Sequence, residues 1–508
     1  MSKRAAFVGG GVGAMTTALL LTRQGYQVTI YEKSARLGGR LAFQEGQGYK
    51  IDQGPTIVLL PDMLLDILEE AGIERSRLPL LACDPMYNIH YSEGTVLRKH
   101  RSVERMAEEL ERVFPGEAAG FRRYMEETRE LFLQGKRSFL DQAFTRKKDF
   151  YTWRNLSLLM KFKAYKSARY YASRYFKDER LLDAYSLQTL YIGGVPERSP
   201  ALYTLLPYAE HEYGVWYLKG GYASLVDLLR EELERRGVEI RTNTAVERLQ
   251  VKDGRCKGVR VMGCEEAFDT VIYNGDFPHL HSLLPGESKP PARRYEPSTG
   301  CTLLYLGLGR RYEHAAAHQF FLPPSLSDSL REMSESGMPP EKPSYYIFYP
   351  TAIDPEAAPE GGSVMYVLIP SPPQGSFNWK EGAAALAERV LADAERRAFP
   401  GLREAVQWQD IRTPEDAAAD GLYRGGSFGI APTLKQSAVF RPQIVPYEEI
   451  KGLYAVGASI HPGGGIPIVM QGARLLANQL AKESCSHVDR RISRELREDD
   501  SPRILHIP

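Results

Sequence analysis

Residues 5–18 read A-A-F-V-G-G-G-V-G-A-M-T-T-A, and this stretch decides the fold. A buried strand is predicted up to Val8, and a helix is predicted to follow the glycines. Gly9, Gly11 and Ala14 match the dinucleotide fingerprint in its form with alanine in third place. There the first glycine makes a tight turn, the second lets the backbone approach a pyrophosphate, and the third small residue packs helix on strand. The helix start presents free N–H groups to the phosphates.

A second predicted strand and an acid extend this pattern. V-T-I-Y-E follows at 28–32, so that Glu32 stands about 20 residues beyond the glycines, where an acid accepts a ribose 2′-hydroxyl. A carboxylate there disfavours a 2′-phosphate, and therefore NADP. The rival interpretation is a secretory signal, because Lys3 and Arg4 precede a fairly apolar stretch. The dense glycines and the polar Thr16 suit a hydrophobic signal core poorly. The order of elements favours the dinucleotide site.

A second glycine pair bears on the choice between flavin and nicotinamide. R-L-G-G-R occupies 36–40, and its Gly38, Gly39 and Arg40 resemble the flavoenzyme superfamily that includes glutathione reductase and the amine oxidases. In that superfamily the segment wraps the pyrophosphate and ribityl chain of FAD. Taken alone, the pair could be an ordinary turn. The resemblance implies an α/β protein with a Rossmann-like FAD-binding domain.

Length and composition set outer limits on this interpretation. The chain has 508 residues, which predicts two or three domains. Lys and Arg total 65 against 64 for Asp and Glu, so net charge gives no reason to expect nucleic acid as a partner. The five cysteines are scattered without C-x-x-C spacing, which predicts a reducing compartment and no metal site. No apolar run reaches the length needed to span a bilayer.

A glycine-rich segment near the C-terminus repeats the logic of the first. G-L-Y-A-V-G-A-S at 452–459 predicts a short buried strand, and H-P-G-G-G-I-P at 461–467 predicts a loop. Helical spacing then runs from Val469 to Leu480. A strand, a glycine loop and a helix start make another anion- or carbonyl-binding end. In flavoproteins of this superfamily such a segment returns to the isoalloxazine.

The middle of the chain supplies further strands and a domain division. Alternating strands are predicted over 237–246 and at 259–261, and Val271 begins a strand that resembles the re-entry into the dinucleotide domain. Antiparallel strands over 302–308 and 364–369 are expected to form the floor of a substrate domain. Aromatic residues of that floor are expected to pack a core or line an apolar tunnel: Tyr305, Tyr345, Tyr346, Phe348 and Tyr366. The predicted division is an FAD-binding domain (1–80, 218–285 and 445–485), a mixed β-sheet substrate domain (81–118 and 286–444), a helical membrane-associating insert (119–217) and a solvated or disordered polar tail (486–508).

Several motifs together resemble one enzyme family. These are D-Q-G-P-T at 52–56, L-Q-T-L-Y-I-G at 187–193, W-Y-L-K-G-G at 216–221, S-F-G at 427–429 and the H-P-G-G-G-I-P loop. They are similar to the bacterial phytoene desaturases and, among these, most similar to the C30 branch, the diapophytoene desaturases. The resemblance runs over almost the whole chain, from Ala5 to Leu480.

The resemblance implies a reaction and its participants. FAD would be the redox cofactor, and the substrate would be a linear apolar C30 (or C40) polyene precursor such as 4,4′-diapophytoene. The flavin would accept a hydride from an allylic carbon, a neighbouring carbon would lose a proton, and oxygen or a quinone would reoxidise the flavin. Three alternatives stay open: an oxygenase that converts terminal methyl groups to aldehydes, which 297–308 would also suit, a flavin amine oxidase, and a non-enzymatic isoprenoid-binding escort.

The resemblance also implies which residues hold FAD, whereas catalytic residues are harder to name. Neither a Ser–His–acid nor a metal constellation is evident in the sequence. His461 could approach the isoalloxazine or only bond the loop backbone, and Glu210 beside His211 could be a base, although a pair on a helix surface is favoured. The expected cofactor-binding residues are Gly9, Gly11, Val12, Ala14, Glu32, Lys33, Gly38, Gly39, Arg40, Gly54, Pro55, Thr56, Val246, Gly457, Gly464, Gly465 and Ile466.

A basic and aromatic segment suggests where the substrate comes from. Residues 146–177 hold ten basic residues and a single acid, Asp149, interleaved with aromatic and aliphatic side chains. Such a pattern is typical of an interfacial helix pair that contacts anionic lipid. A solvated basic face is the plainer interpretation, and single-stranded nucleic acid is disfavoured by the balanced charge elsewhere. We therefore expect a cytoplasmic protein that associates peripherally with an anionic membrane surface.

Overall fold

The N-terminal stretch forms a strand, a glycine turn, a helix and a second strand in the computed structural model, which describes residues 2–286, 289–373, 375 and 377–499. The strands are β1 (Arg4–Val8), β2 (Gln27–Tyr31), β3 (Phe43–Gly46), β4 (Tyr49–Asp52), β5 (Leu80–Ala82), β6 (Tyr87–His90), β7 (Val96–Lys99), β8 (Trp216–Leu218), β9 (Glu239–Arg241), β10 (Val246–Lys252), β11 (Arg255–Val261), β12 (Cys264–Ala267), β13 (Thr270–Tyr273), β14 (Gly300–Leu308), β15 (His318–Phe321), β16 (Tyr345–Phe348), β17 (Ser363–Ser371), β18 (Val406–Arg412) and β19 (Leu453–Ala455). The helices are α1 (Val12–Arg23), α2 (Pro61–Glu70), α3 (Val103–Val113), α4 (Ala118–Gly135), α5 (Lys147–Phe150), α6 (Trp153–Lys161), α7 (Ala168–Ala172), α8 (Glu179–Ala184), α9 (Leu205–Tyr213), α10 (Ser224–Arg235), α11 (Leu280–Leu283), α12 (Leu326–Ser336), α13 (Trp379–Arg397), α14 (Leu402–Ala405), α15 (Pro414–Ala419) and α16 (Ile466–Asp499).

A five-stranded parallel sheet carries the glycine turns. Its order is β19-β13-β1-β2-β9, so strands from the start, the middle and the end of the chain lie side by side. α1 packs between α10 and α16 in a helical layer on this sheet, and β11 of the antiparallel sheet described next packs against β13. The central strands β1, β13 and β19 are accordingly mostly apolar and buried. The carboxyl ends of β1, β13 and β19 meet at one edge, where ligands bind in open parallel sheets.

A three-stranded antiparallel sheet, β10-β11-β12, stands beside the parallel sheet. It begins at Val246, immediately after the strand β9 that ends the parallel sheet. The hairpins turn at Asp253 and Met262, where the backbone is left-handed, each followed by a glycine. This small sheet brings Val246 to the mouth of the dinucleotide site.

A seven-stranded mixed sheet, β18-β14-β17-β16-β15-β6-β7, forms the second half of the molecule. The prediction of antiparallel strands over 302–308 and 364–369 is confirmed: β14 and β17 pair antiparallel from Gly300 opposite Ser371 to Leu308 opposite Ser363. Successive side chains of a strand point to opposite faces. Leu304 and Leu306 therefore pack against α13, while Cys301 and Leu303 on the other face line the cavity described below.

The basic segment differs from the predicted helix pair. It forms three short helices, α5, α6 and α7, because Thr152 and Ser167 cap new helix starts and Lys163 adopts a left-handed backbone between them. Many of its aromatic residues are buried rather than interfacial. Phe150 and Phe162 belong to a small core with Phe139 and Val439. The prediction of a helix pair is therefore wrong, and Phe150 and Phe162 lie in a core, although part of the segment's surface stays apolar.

The C-terminal helix is longer than predicted. α16 starts at Ile466, packs along α1 and α2, and runs to Asp499, so that 486–499 of the predicted tail are helical. The last nine predicted tail residues, 500–508, lie outside the described residues. Over the described ranges, no helix combines the length and the apolar character needed to cross a membrane. The five cysteines are free thiols.

Candidate active site

A long cavity of about 1040 Å³ joins the edge of the parallel sheet to the face of the mixed sheet. At one end it is lined by the two glycine turns and by the residues that follow β2. At the other end its walls are leucine, phenylalanine and tyrosine side chains from the mixed sheet and from the helices above it. All the predicted cofactor residues line it except Ala14, which is fully buried beneath the turn and packs helix on strand as its role requires.

The first glycine turn and the second one are bonded to each other. The Gly38 N–H donates to the Gly10 carbonyl at 2.9 Å, and Gly38 bridges to Gly11 in strand fashion. Their bare backbones leave no room for side chains. A Cβ on Gly11 would lie 2.7 Å from Asn274 Oδ1, and one on Gly38 would lie 2.5 Å from the Leu41 carbonyl. The two turns thus form one cradle whose glycines line the cavity.

Asn274 is a part of this cradle that the sequence did not reveal. It follows β13, donates from Nδ2 to the Val456 carbonyl at 2.8 Å, and so ties the middle strand to the C-terminal glycine loop. Among the described residues, its Oδ1 has no hydrogen-bond partner. Its position just past the end of a parallel strand was the available signal. The pattern of glycines does not predict that the Asn274 side chain bonds the start of the C-terminal loop.

Glu32 lies where an acid is expected for a ribose. Its Oε2 accepts the Gly10 N–H and its Oε1 accepts the Ser34 N–H, each at 2.8 Å, so it first closes the turn. Each carboxylate oxygen retains a further lone pair, and the residue lines the cavity beside Lys33 and Val246. One carboxylate can therefore fix the turn and accept a hydroxyl.

Arg40 supplies positive charge deeper in the cradle. Its Nη2 lies 3.6 Å from Asp276 Oδ2, and Asp276 also accepts from the Ser459 hydroxyl and from the Tyr423 N–H. Within the described part of the chain, Arg40 Nε and Nη2 make no hydrogen bond although both are buried. A guanidinium with unused donors beside a helix start suits a phosphate.

The C-terminal loop supplies a second helix start. Gly457 has φ +134° and Gly465 has φ +92°, values that favour glycine, and α16 begins at Ile466. Gly464 lies between them on the same wall of the cavity. Two helix starts, unpaired donors on Arg40 and an unpaired acceptor on Asn274 therefore converge on one elongated space. This arrangement fits a dinucleotide such as FAD.

A hydrogen-bonded chain leads from the cavity into the mixed sheet. Thr56, which follows the predicted Gly54 and Pro55, bonds the Tyr346 hydroxyl at 2.8 Å, and that hydroxyl lies 2.6 Å from His318 Nδ1. Burial lowers the pKa of His318 to about 3, so the ring is neutral. Sequence reasoning named Tyr346 only as an aromatic residue of the floor and did not identify His318, because their bond depends on the pairing of β15 with β16.

His461 lines the cavity, as is required if it approaches the isoalloxazine. Its Nε2 lies 3.0 Å from the Gln142 carbonyl, so this nitrogen donates and the ring anchors its loop to the segment after α4. Burial lowers the pKa of His461 to about 4, and the ring is neutral. Both sequence interpretations are thus compatible with its position.

Glu210 is placed differently from the favoured sequence interpretation. Glu210 and His211 are not a helix-surface pair: both are buried, because α9 is covered by β6, β7 and α4. Tyr87 donates to Glu210 at 2.6 Å, and Gln188 donates to it at 3.1 Å. Glu210 does not itself line the cavity, but its neighbour Ala209 does.

The far half of the cavity is apolar. Phe132 and Phe139 contribute from the α4 region, and Leu187 and Leu205 from the segments before and within α9. The opposite wall is a row of rings from the mixed sheet, in which Phe320 and Tyr346 have centroids 4.9 Å apart. Tyr345, Tyr346 and Tyr366 line the cavity, while Tyr305 and Phe348 pack in the core. Such walls accept a long hydrocarbon and exclude water.

Comparison with known proteins identifies the family. The model of the flavin containing amine oxidoreductases matches residues 15–481. A 4,4′-diapolycopen-4-al dehydrogenase of Metabacillus indicus is 47% identical over 478 residues, covering 94% of this chain and 97% of that protein. The chain belongs to the carotenoid desaturases. A zeta-carotene-forming phytoene desaturase of Myxococcus xanthus is 33% identical and covers 94% of this chain and 94% of that protein. A 4,4′-diapophytoene desaturase of Staphylococcus haemolyticus is 30% identical and covers 94% of this chain and 98% of that protein.

A solved structure shows the same fold. Cyclohexylamine oxidase of Brevibacterium oxydans superposes with a TM-score of 0.62 at 14% identity, covering 95% of this chain and 99% of that one. The carotenoid desaturase is thus an α/β flavoprotein of the amine oxidase type, and FAD is its cofactor. When bound, FAD supplies a hydride acceptor. The residues that would hold it are those of the two glycine turns, Glu32, Arg40 and the start of α16.

Proposed function

We propose that this protein desaturates a linear apolar polyene precursor, with 4,4′-diapophytoene as the substrate class and FAD as the oxidant. The observation that carries the proposal is the continuity of the cavity. The dinucleotide cradle and the apolar half are one space, so a hydrocarbon chain can lie against the reactive end of the cofactor. A diapophytoene desaturase and a phytoene desaturase among the relatives support the choice of reaction.

The protein itself orients the substrate and keeps water out of the cavity. The ring wall formed by Phe320 and Tyr346 offers flat apolar contact to a conjugated chain. Leu187 and Leu205 close the space from the helical side. In such a space a hydrocarbon loses its hydration and adopts an extended course along the walls. The bond to be oxidised is then selected by how far the chain slides in.

The test is expression in cells that accumulate 4,4′-diapophytoene, followed by extraction of the pigments. Desaturation lengthens the conjugated system, so the extract should become coloured and its absorption should move stepwise to longer wavelength. The matched control is the same host carrying the Gly38→Ala variant, whose cofactor cradle is blocked. A colourless extract from cells that hold the folded, flavin-bound protein would contradict the proposal.

A second candidate function is oxidation at the end of a finished polyene. It is favoured by the relative of 47% identity, which is a 4,4′-diapolycopen-4-al dehydrogenase. A related oxygenase that forms terminal aldehydes is the alternative that residues 297–308 would also suit. Cells that supply a fully conjugated polyene distinguish the two. Appearance of an aldehyde or acid there, without any change to 4,4′-diapophytoene, would favour terminal oxidation.

Reduced cofactor must be reoxidised, and we propose oxygen or a quinone as the acceptor. Both accept electrons from reduced flavin, and a quinone is available in the membrane from which an apolar substrate must come. Stopped-flow reoxidation of the substrate-reduced protein with each acceptor tests this choice. An acceptor that leaves the flavin reduced is eliminated.

We further propose that the substrate is collected from an anionic membrane surface at α6. Trp153 is 89% exposed and Met160 is 64% exposed on its outer face. Lys161 and Lys166 are exposed near them, and Lys166 lies over the rings of Tyr165 and Tyr170. Exposed large apolar side chains among cations suit the headgroup region of anionic lipid.

The same helix forms the outer cover of the cavity. Leu158 and Phe162, on the inner side of α6 and just beyond its end, share a small core with the cavity-lining residues Phe139 and Leu205. The nearby Leu434–Gln436 turn and the residues up to 440 add exposed Leu434 and Phe440. Ala438 between them lines the cavity. One layer of side chains therefore separates the proposed lipid-contact surface from the apolar half.

Liposome flotation tests this surface. We expect the protein to float with vesicles that contain anionic lipid and to lose flotation when Lys161, Lys163 and Lys166 are replaced by Glu. The matched control replaces Lys252, Arg255 and Lys257, an exposed basic group on the β10–β11 hairpin, by Glu. Equal flotation of both triple variants would contradict a specific surface at α6.

A further inference from the structure

A buried arginine forms part of the cavity wall beside the C-terminal glycine loop (457–465). Arg441 follows the Leu434–Gln436 turn, is 5% exposed and lines the cavity. A charged side chain is rarely buried to this extent unless an acid pairs with it. A guanidinium does not avoid the cost of burial by losing its proton, because it stays charged inside proteins. The position of this charge therefore needs a reason.

The bonds of Arg441 leave its charge without an acidic partner. Nη2 donates to the Ala458 carbonyl and Nη1 lies 3.5 Å from the Gln436 carbonyl, so both acceptors are neutral. Over the residues that the structure describes, Arg441 takes part in no ion pair and its Nε has no hydrogen-bond partner. Burial lowers the pKa of Arg441, and the Asp276 carboxylate opposes this only from beyond ion-pair distance. Asp276 already has Arg40 at 3.6 Å. An unpaired positive charge thus remains at the cavity wall.

Two hydrogen bonds fix this charge onto the C-terminal glycine loop. Besides the bond from Arg441 to Ala458, the His461 N–H donates to the Pro442 carbonyl at 2.8 Å. Ala458 and His461 line the cavity themselves. Because the loop and the 441–442 segment are bonded at two points, the guanidinium is held at the wall of the cavity.

The loop lies at the far end of the dinucleotide cradle from the ribose acid. Glu32 bonds the first glycine turn at 2.8 Å, and Gly11 of that turn lies against Asn274, where an added Cβ would be 2.7 Å from Oδ1. Asn274 in turn donates to the Val456 carbonyl at 2.8 Å, and the loop begins at the next residue. A dinucleotide with its ribose at Glu32 and its phosphates at the glycine turns therefore extends its other end, the isoalloxazine, towards the loop that carries Arg441.

Arg441 also borders the apolar half of the cavity. Tyr203, two residues before Leu205 of that half, lines the cavity and bonds the Ser437 hydroxyl at 3.0 Å. Ser437 stands four residues before Arg441 in the chain. A hydride passes from substrate to cofactor where the cofactor end and the apolar half meet. The Arg441 charge therefore lies beside the place where the cofactor changes its charge.

We propose that Arg441 stabilises the negative charge that FAD gains when it accepts a hydride. The C–H bond of the donor breaks, both of its electrons leave with the hydrogen, and the donor is oxidised while the cofactor gains one negative charge. Arg441 keeps its proton and forms no covalent bond. It acts through its charge in a dry cavity, where such an interaction is stronger than in water. The start of α16 adds only a partial positive charge to the same loop. The inference requires FAD as cofactor and neither of the two candidate substrates.

The reduction potential of bound FAD tests this charge directly. FAD-loaded protein is reduced with dithionite beside a dye of known potential, and no polyene is needed. Replacing Arg441 by Gln keeps an amide donor for the Ala458 carbonyl but removes the charge. We expect Arg441→Gln to destabilise reduced relative to oxidised FAD about tenfold or more, which lowers the potential of a two-electron couple by about 30 mV or more.

Arg293 supplies the matched control. It also donates to two backbone carbonyls of the neighbouring turn, those of Lys435 and Phe440, each at 2.7 Å, but it is exposed at the protein surface. Arg293→Gln should leave the potential of FAD unchanged. Arg441→Lys keeps the positive charge, and it should change the equilibrium between reduced and oxidised FAD by less than about twofold, or about 9 mV.

Sulfite binding and FAD affinity give two further readouts. Sulfite adds to the oxidised ring of FAD, leaves it negatively charged and bleaches its visible absorption. We expect the Kd for sulfite to rise about tenfold or more in Arg441→Gln and to keep its wild-type value in Arg293→Gln. A purely structural Arg441 would weaken the binding of oxidised and reduced FAD equally, so the potential would not move.

The outcomes decide the inference separately from the desaturase reaction. An Arg441→Gln potential within about twofold of wild type, or about 9 mV, overturns the inference, and so does an equal shift in Arg293→Gln. If Arg441→Gln does not fold with FAD, Arg441→Lys carries the test: a tenfold change in sulfite Kd while the charge is kept overturns the role of the charge. Failure to desaturate 4,4′-diapophytoene overturns the proposed function and leaves these measurements unaffected.

Discussion

At the scale of single residues, Gly38 is a position where both the backbone conformation and the surrounding atoms require glycine. Its φ of +103° is one that side chains rarely adopt, and its bond to Gly10 holds the two glycine turns together. A Cβ there would lie 2.5 Å from the Leu41 carbonyl, a backbone atom that cannot rotate away. Shape and space therefore both exclude any other residue.

We expect Gly38→Ala to weaken FAD binding by more than tenfold, because the cradle must open to admit the methyl group. Gly25→Ala is the matched control: Gly25 has φ +81°, but nothing described in the structure lies within 4 Å of its Cβ position. It should cost about 1 kcal/mol of stability from the left-handed backbone alone and leave FAD binding unchanged. Titration of the apoprotein with FAD measures both. Equal affinities for FAD in the two variants would contradict the cradle.

At the scale of elements, Arg169 joins α7 to α8. It bonds Asp183 and Glu179, both on α8, and its Nε lies 3.8 Å from Glu197. Burial raises the pKa of Asp183 to about 6, against the lowering effect of Arg169. The pair thus holds a buried carboxylate in place at the edge of the basic segment.

Arg169→Met should leave Asp183 buried without its cation. Breaking a buried pair from one side costs about 3 kcal/mol, which we expect to see as a lower urea midpoint. The matched control is Arg331→Met, because Arg331 and its partner Asp328 are both 63% exposed. Exposed pairs contribute about 0.5 kcal/mol or less. Similar losses in both variants would show that burial of Asp183 does not decide the outcome.

At the scale of the whole molecule, the sequence predicts what is encoded locally. The glycines at 9–11 and 38–39 predict their turns, because a bare backbone suits them, and the mostly apolar stretch 302–308 predicts a strand of the mixed sheet. Asn274 was not identified, since its partner Val456 lies 182 positions further along the chain, and His318 was not identified, since its bond to Tyr346 depends on how β15 pairs with β16. Glu210 was favoured as a surface residue for the same reason: its cover, β6 and β7, lies more than a hundred positions earlier.

The buried histidines make the stability of the whole fold depend on pH. Burial lowers the pKa of His318 to about 3 and those of His90 and His461 to about 4. An unfolded histidine titrates near pH 6.5. Below that pH these histidines are protonated in the unfolded chain but stay neutral in the folded chain. The free energy of unfolding therefore falls as the pH falls from about 6.5 towards 4.

Replacing His318 by Gln should remove one of these contributions. Each such histidine lowers the free energy of unfolding by about 1.4 kcal/mol per pH unit as the pH falls through this window. The slope of unfolding free energy against pH between pH 6 and 4.5 should therefore be about 1.4 kcal/mol per pH unit smaller in His318→Gln than in the wild type. The overall stability of the variant can shift, but the slope is the quantity to compare. His314→Gln is the matched control, because His314 is exposed four residues earlier, and its slope should equal that of the wild type. Urea unfolding at several pH values gives the three slopes, and a wild-type slope in His318→Gln would mean that His318 is protonated in the folded protein.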